Sequence, residues 1–350
     1  MIETRIVCVG KETVSSILSE KLTEAVKFLK EGFAIAIPTE TVYGLAANAL
    51  SASACKKIFQ AKNRPSDNPL IVHVSSVEML HTVIEGEIPL KTKALIDKFW
   101  PGPLTLLFKK NQNVPDEVTC GQPTVAVRMP SHPVARHVIE MCGFPLAAPS
   151  ANSSGKPSPT LASHVFDDLN GKIPFIIDGG QCDCGVESTV VDPLRNPAVI
   201  LRPGGISYEA LSSVVPDIQV YKKHFTDKAL EERPSTPGMK YKHYSPNAQV
   251  ILFEGPQEMK REKILSKYRE LLEDGKKVGI MRTSAVPFST DKNEIYLGLT
   301  LNDAAREIFK SLRTLDKLHT DYILVEGVEE IEEGLAVMNR LRKAASLIIE

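Results

Sequence analysis

No C-x-x-C pair occurs in this chain. Its six cysteines, at positions 8, 55, 120, 142, 182 and 184, are scattered over 350 residues. Such spacing does not make a disulfide framework, and it lacks the paired thiols of a zinc ribbon. Reduced thiols in a cytoplasmic protein are the expectation. Cys182-x-Cys184 with a distant histidine is the one arrangement that leaves a metal reading open. Long apolar runs are missing too: none reaches membrane length, and the N-terminus carries no signal-type apolar stretch. Net charge is nearly absent. The formal balance is −1, with 26 basic and 25 acidic residues before Asn247 and 16 and 18 from there on. A protein built chiefly to coat nucleic acid carries a clear basic excess, although a local groove survives in such an average. Neither G-x-G-x-x-G nor G-x-x-x-x-G-K-[ST] is present, so no dinucleotide or P-loop site is expected.

What is present reads as two α/β domains joined by a linker, at 1–221, 222–247 and 248–350. In the first, helices are expected over Glu12–Lys30, Ser51–Lys62, Val77–Ile84, Lys91–Phe99, His132–Met141 and Ser207–Ser213. Strands are expected over Phe33–Ile37, Leu70–Val74, Leu104–Phe108, Thr124–Met129, Pro145–Ala148, Ile173–Ile177, Glu187–Val191 and Ala198–Leu201. Strands arriving in such quick succession suggest a mixed sheet with helices on it. The last hundred residues alternate more regularly. Strands are expected at Val250–Phe253, Lys277–Met281, Ile295–Leu299 and Tyr322–Val328, with helices at Gln257–Glu273, Asp303–Leu318 and Gly334–Ile349. That is the pattern of a small parallel sheet.

The densest chemistry lies in Lys62-Asn-Arg-Pro-Ser-Asp-Asn-Pro-Leu-Ile-Val-His-Val74. Pro65 and Pro69 make the connection a loop. Lys62 and Arg64 two apart suit phosphate oxygens, as a point charge beside a planar fork. A solvated basic turn fits the same residues. Pro38-Thr-Glu-Thr-Val-Tyr-Gly-Leu45 follows a strand, where α/β sheets collect ligands, but satisfied turn hydroxyls would look alike. Arg128, near the end of an apolar strand, needs either a carboxylate of the fold or an anionic ligand. Pro149-Ser-Ala-Asn-Ser-Ser-Gly-Lys-Pro-Ser-Pro159 is a plain loop or a phosphate cradle of amides and hydroxyls. Lys222–Asn247 has no amphipathic period. Its Lys240-Tyr-Lys-His-Tyr244 run is an odd composition for a bare tether, and a lid over the first domain is expected.

Taken in order, these stretches resemble the Sua5/YrdC family in its long, two-domain form, over nearly the whole chain. The matching pieces are Pro38–Leu45, Lys62–Val74, Phe99–Leu104, Val127–Met129, Pro149–Gly155, Gly185–Val190, Leu201–Gly205, Pro237–Pro246 and Met338–Ala345. The resemblance implies a YrdC-like twisted mixed α/β sheet followed by a smaller Rossmann-like parallel α/β Sua5 domain. It implies synthesis of threonylcarbamoyl-AMP and pyrophosphate from L-threonine, bicarbonate or CO2, and ATP. That product feeds threonylcarbamoyladenosine formation beside the tRNA anticodon through a separate transferase. The family is also linked to double-stranded RNA binding. By resemblance, Thr41, His73, Arg128, Ala148 and Ser188 hold threonine. Lys62, Arg64, Asn68, Thr124, Ser150, Asn152, Ser158, Arg202, Tyr241 and Tyr244 hold ATP. Lys62 and Arg64 also stabilise charge in the transition state, and Mg²⁺ comes with the phosphates rather than on protein ligands. Three rivals remain: a pure RNA-binding module, disfavoured by the charge balance; a carbamoyl-transfer enzyme of the hydrogenase-maturation type, which would carry C-x-x-C pairs; and a regulatory protein without activity, against which the intact polar residues speak.

Overall fold

A computed structural model describes residues 2–10, 16–221, 243–289 and 293–350. Most of the expected linker, with Tyr241, therefore lies outside the described residues. The strands are β1 (Arg5–Cys8), β2 (Ile35–Ile37), β3 (Gly44–Asn48), β4 (Ile71–His73), β5 (Leu104–Lys109), β6 (Thr124–Arg128), β7 (Leu146–Ala147), β8 (Phe175–Asp178), β9 (Thr189–Asp192), β10 (Val199–Arg202) and β11 (Gln219–Val220). They form one mixed sheet, ordered β1-β8-β2-β3-β7-β4-β6-β5-β9-β10-β11. A second sheet contains β12 (Gln249–Phe253), β13 (Val278–Arg282), β14 (Glu294–Tyr296), β15 (Tyr322–Glu326) and β16 (Leu347–Ile349). Its order is β14-β13-β15-β12-β16, with every pair parallel.

The alternation of side chains along each central strand builds a core on either face of the large sheet. Ala36, Leu45 and Ala47 enter one cluster, while Ile35, Ile37 and Ala46 enter the other. The small sheet repeats this, with Val250 and Leu252 on one side and Ile251 and Phe253 on the other. The first of its clusters also takes in Val42, Val186 and Tyr244, so apolar packing runs across the junction between the two sheets. Gly185 lies at that junction with φ +74, and a Cβ there would come within 2.3 Å of the Arg306 Cα. Among the described residues no helix is long and apolar enough to cross a membrane.

Several expectations need correction. The helix over Gly334–Ile349 stops at Ala344, and Leu347–Ile349 is a parallel edge strand instead. Leu-Ile-Ile favours extended backbone, and pairing with β12 decides the outcome. The helix over Val77–Ile84 closes at Leu80, capped by Ser76. Gly44–Asn48, absent from the expected strands, is the return strand of a hairpin with β2. The helix Ala162–Leu169 and strand β1 are additions to the expected elements; β1 is a short, largely exposed edge strand that packs Val7 against the core. The first helix is described from Ser16 to Lys30.

Candidate active site

Helix Ala52–Lys62 starts under a Ser51 cap and ends at Asn63, whose φ of 52° turns the chain sharply. Lys62, on the last turn, thereby points inward and Arg64 begins the return. The Lys62 side chain is only 1% exposed. Its Nζ donates to the Ser150 carbonyl (2.5 Å) and to the Asn152 carbonyl, so it pins the 149–155 loop. Ser150 Oγ donates to Asn152 Oδ1 (2.5 Å), and Asn152 Nδ2 to the Lys156 carbonyl (3.0 Å). Burial, and then Arg64, push the Lys62 ammonium well below its ordinary pKa, with Asp168 pulling the other way. An arriving anion would push it back up. Arg64 Nε and Nη2 donate to the carbonyls of Asn68 (3.1 Å) and Pro69 (2.9 Å), fixing its fork; burial lowers it to about 10, which leaves it charged.

Strands β4 and β6 run parallel, with His73 opposite Arg128 at their C-terminal ends. Arg128 has the carboxylate partner that the first of its two readings requires. Its Nη2 lies 2.6 Å from Glu40 Oε1, its Nη1 donates to Thr41 Oγ1 (2.8 Å), and it still borders the cavity. Glu40 is held below its ordinary pKa: burial works to raise it, and Arg128 with backbone donors outweighs that. His73 Nδ1 lies 3.2 Å from the Ile71 carbonyl, and burial with the nearby Arg128 depresses the ring to about 3. The ring is therefore neutral near pH 7.

The third wall comes from the turn before β9 and the end of β10. Ser188 Oγ lies 2.7 Å from Thr105 Oγ1, and Arg202 Nη2 donates to the Ser188 carbonyl (2.9 Å) and Oγ (3.1 Å). Gly204 makes this approach fit, since a Cβ there would come within 2.4 Å of the Ser188 and Thr189 backbone. Glu187 accepts from Ser158 Oγ (2.5 Å) and from Arg340 Nε (2.6 Å), the latter reaching in from helix Gly334–Ala344. Burial opposes its charge, but Arg340 and Arg202 hold the carboxyl down at about 2. Tyr244 is buried over this pair, its ring 5.2 Å from Phe309 and 5.5 Å from the Arg340 guanidinium.

One cavity joins these walls. Thr41, His73, Arg128, Ala148 and Ser188 border it, as do Lys62, Arg64, Ser150, Asn152, Ser158, Arg202 and Tyr244. Asn68 and Thr124 do not. Asn68 sits behind Arg64, to which it lends its carbonyl. Thr124 begins β6, about 13 Å of strand away from Arg128, and only the C-terminal end of β6 opens into the cavity. Thr39, Ser154, Lys156, Glu187 and His243 border it without having been singled out. Glu187 carries a readable signal, a carboxylate heading an apolar strand much as Arg128 ends one; the others lie within stretches already read as candidate ligand loops or lid.

Residues 27–204 match the Sua5/YciO/YrdC family model, described as "Telomere recombination", and residues 206–346 match the model described as "Threonylcarbamoyl-AMP synthase, C-terminal domain". The chain belongs to the Sua5/YciO/YrdC family. A Pyrococcus abyssi member named threonylcarbamoyl-AMP synthase is 50% identical over 326 residues, covering 93% of this chain and 94% of its own. A Bacillus subtilis member of the same name is 44% identical over 332 residues, covering 93% of each. The crystal structure of P. abyssi Sua5 complexed with L-threonine matches with a TM-score of 0.90 at 48% identity, covering 99% of both chains. This Sua5-type chain thus shares its whole architecture, not only its first sheet, with a family member that binds threonine.

Proposed function

We propose that this chain makes threonylcarbamoyl-AMP and pyrophosphate from L-threonine, bicarbonate or CO2, and ATP. The observation that carries the reading is the convergence of Lys62, Arg64, Arg128 and Arg202 with a neutral His73 and the Ser188 and Thr41 hydroxyls around one cavity. Substrates that are amino acid and triphosphate demand fixed cations, and the relatives' shared name supplies the reaction. The threonine amine adds to CO2 and loses a proton, giving a carbamate. A carbamate oxygen then attacks the α-phosphorus of ATP, the bond to the bridging oxygen breaks, and pyrophosphate leaves. Positioning does most of the work, because two anions must be brought together. Arg128, ordered by Glu40, takes the threonine carboxylate beside Thr41 and Ser188. The neutral His73 borders the cavity beside Arg128. Lys62 and Arg64 take the phosphates with the amides and hydroxyls of the Ser150–Ser158 loop, and Arg202 supports them from the opposite wall. Asn68, Thr124 and Tyr241 remain part of the proposed ATP set, the first two as supports behind Arg64 and along β6.

Among the described residues no cluster of three metal-ligating side chains exists, and Glu40 and Glu187 are both committed to arginines. That donor set fits a Mg²⁺ that arrives bound to ATP and supplies charge neutralisation there. His243 and Tyr244 border the cavity, and in this reading they withdraw for entry and return to shield a labile mixed anhydride. The product would pass to a separate transferase acting on tRNA. Pyrophosphate release measured while omitting threonine, bicarbonate or ATP in turn tests the proposal. Release without threonine, at the full rate, would overturn it.

A further inference from the structure

The loop over 149–159, which carries much of the cavity wall, is gripped from two sides. From within its own domain, Lys62 Nζ holds the Ser150 and Asn152 carbonyls, and the Ser154 amide donates to the Lys62 carbonyl (3.0 Å). The other grip comes from the second domain. Arg313, in helix Leu301–Lys317, donates from Nε (3.1 Å) and Nη2 (2.5 Å) to the Pro157 carbonyl. Its fork also takes Asp168 with both arms, Nη2 to Oδ2 at 2.8 Å and Nη1 to Oδ1 at 3.4 Å. Asp168, in helix Ala162–Leu169, hands the contact on: its Oδ2 accepts from the Ser153 amide (3.1 Å) and its backbone carbonyl from Ser153 Oγ (3.2 Å). Ser153 and Pro157 are the chain neighbours of Asn152, Ser154, Lys156 and Ser158, which all border the cavity.

The Arg313 side chain is 9% exposed and that of Asp168 1%. Burial works to raise the Asp168 pKa, and Arg313, with Lys156 and the Ser153 amide, outweighs it, so the carboxylate is charged near neutral pH. Apolar side chains could pack such a junction at similar or lower free energy. What they could not do is fix a carbonyl and a carboxylate at once, which the planar guanidinium does. Other polar contacts of the same helix do a different job. Lys317 pairs with Asp167 (2.7 Å), and Glu307 and Lys310 meet Gln181 (2.8 and 3.3 Å). Those contacts dock the helix, and neither Asp167 nor Gln181 borders the cavity.

We propose that Arg313 is a positioning residue for ATP: through Pro157 and Asp168 the second domain sets the loop's amides and hydroxyls to receive the phosphates. The inference rests on the reading of the cavity given above. Thr41 and Arg128, assigned there to threonine, sit on other elements, so Arg313 governs ATP and leaves threonine alone. Calorimetric titration of the full chain measures Kd for ATP with Mg²⁺ and, separately, for L-threonine. Arg313→Met is expected to weaken ATP about tenfold, through loss of a pre-ordered loop, with threonine unchanged. Arg313→Met combined with Asp168→Asn should do the same; it leaves no buried charge unpaired and decides alone if the single variant does not fold. Lys317→Ala, which breaks only a largely exposed docking pair, should bind both ligands as the parent does. A merely structural role would lower the binding-competent fraction for both ligands, or weaken both. Unchanged ATP affinity in a folded Arg313 variant, an equal loss for threonine, or an equal loss in Lys317→Ala would overturn the inference and leave the functional reading standing. A parent chain that binds no ATP would overturn both.

Discussion

Replacing Arg340 by Met should cost more than any other single change at the junction of the two sheets. The guanidinium is 1% exposed and Glu187 is 7% exposed, with 2.6 Å between Nε and Oε2. Met fills much of the space but leaves a buried carboxylate without its main counter-charge, a loss of about 3–5 kcal/mol for pairs of this kind. The carboxyl itself gives a similar figure: held at about 2 instead of 4.5, it contributes about 3 kcal/mol, part of which Arg202 retains. The sign with pH follows. In the parent chain the Glu187 pKa is depressed, so its stabilisation is present above about 4.5 and lost as pH falls toward 2. In Arg340→Met the folded-state pKa moves up toward its unfolded value, so the carboxylate contributes less at neutral pH, with Arg202 and Ser158 holding the remainder. The gap between parent and variant should therefore be largest near neutrality and shrink on acidification. Urea unfolding at several pH values measures the gap, and Glu187→Gln combined with Arg340→Met should recover well over half of it. Strict additivity of the two changes, or a gap independent of pH, would refute the assigned pairing.

Other outcomes follow from the first cavity. Arg64→Ala should lower kcat/KM for ATP by about ten- to a hundredfold, the worth of one charge-assisted phosphate contact, and Lys62→Ala by at least as much because it also frees the Ser150–Asn152 loop; steady-state kinetics at saturating threonine reads both. Serine should be the better of two poor alternative substrates, since a pocket with hydroxyl partners rejects valine more strongly than it misses a methyl; competition kinetics ranks them. Proteolytic cleavage between Arg233 and His243 should slow markedly only when ATP, Mg²⁺ and threonine are present together, which gel analysis over time shows.

Much of this was legible in the order of residues. β-Branched runs and proline stops locate most strands, and Lys62-x-Arg64 stands out because a point charge beside a planar fork suits phosphate oxygens. Arg128 is legible because a charge near the end of an apolar strand needs a partner. What sequence could not give was pairing. The Leu347–Ile349 strand exists because β12 offers it an edge, and the hairpin return at Gly44–Asn48 because β7 and β2 flank it. The role of Arg340 was hidden for the same reason: its partner lies 153 positions away, and only docking of the second sheet brings them together. Thr124 shows the converse, a residue in the right strand whose direction carries it away from the cavity.

The central claim stands or falls on whether one molecule contains all three substrates. With ¹³C-bicarbonate, L-threonine, ATP and Mg²⁺, mass spectrometry of a rapidly quenched reaction should show an adenylate that carries both threonine and the ¹³C label. AMP or ADP as the sole nucleotide product, with the label nowhere in an adenylate, would contradict it.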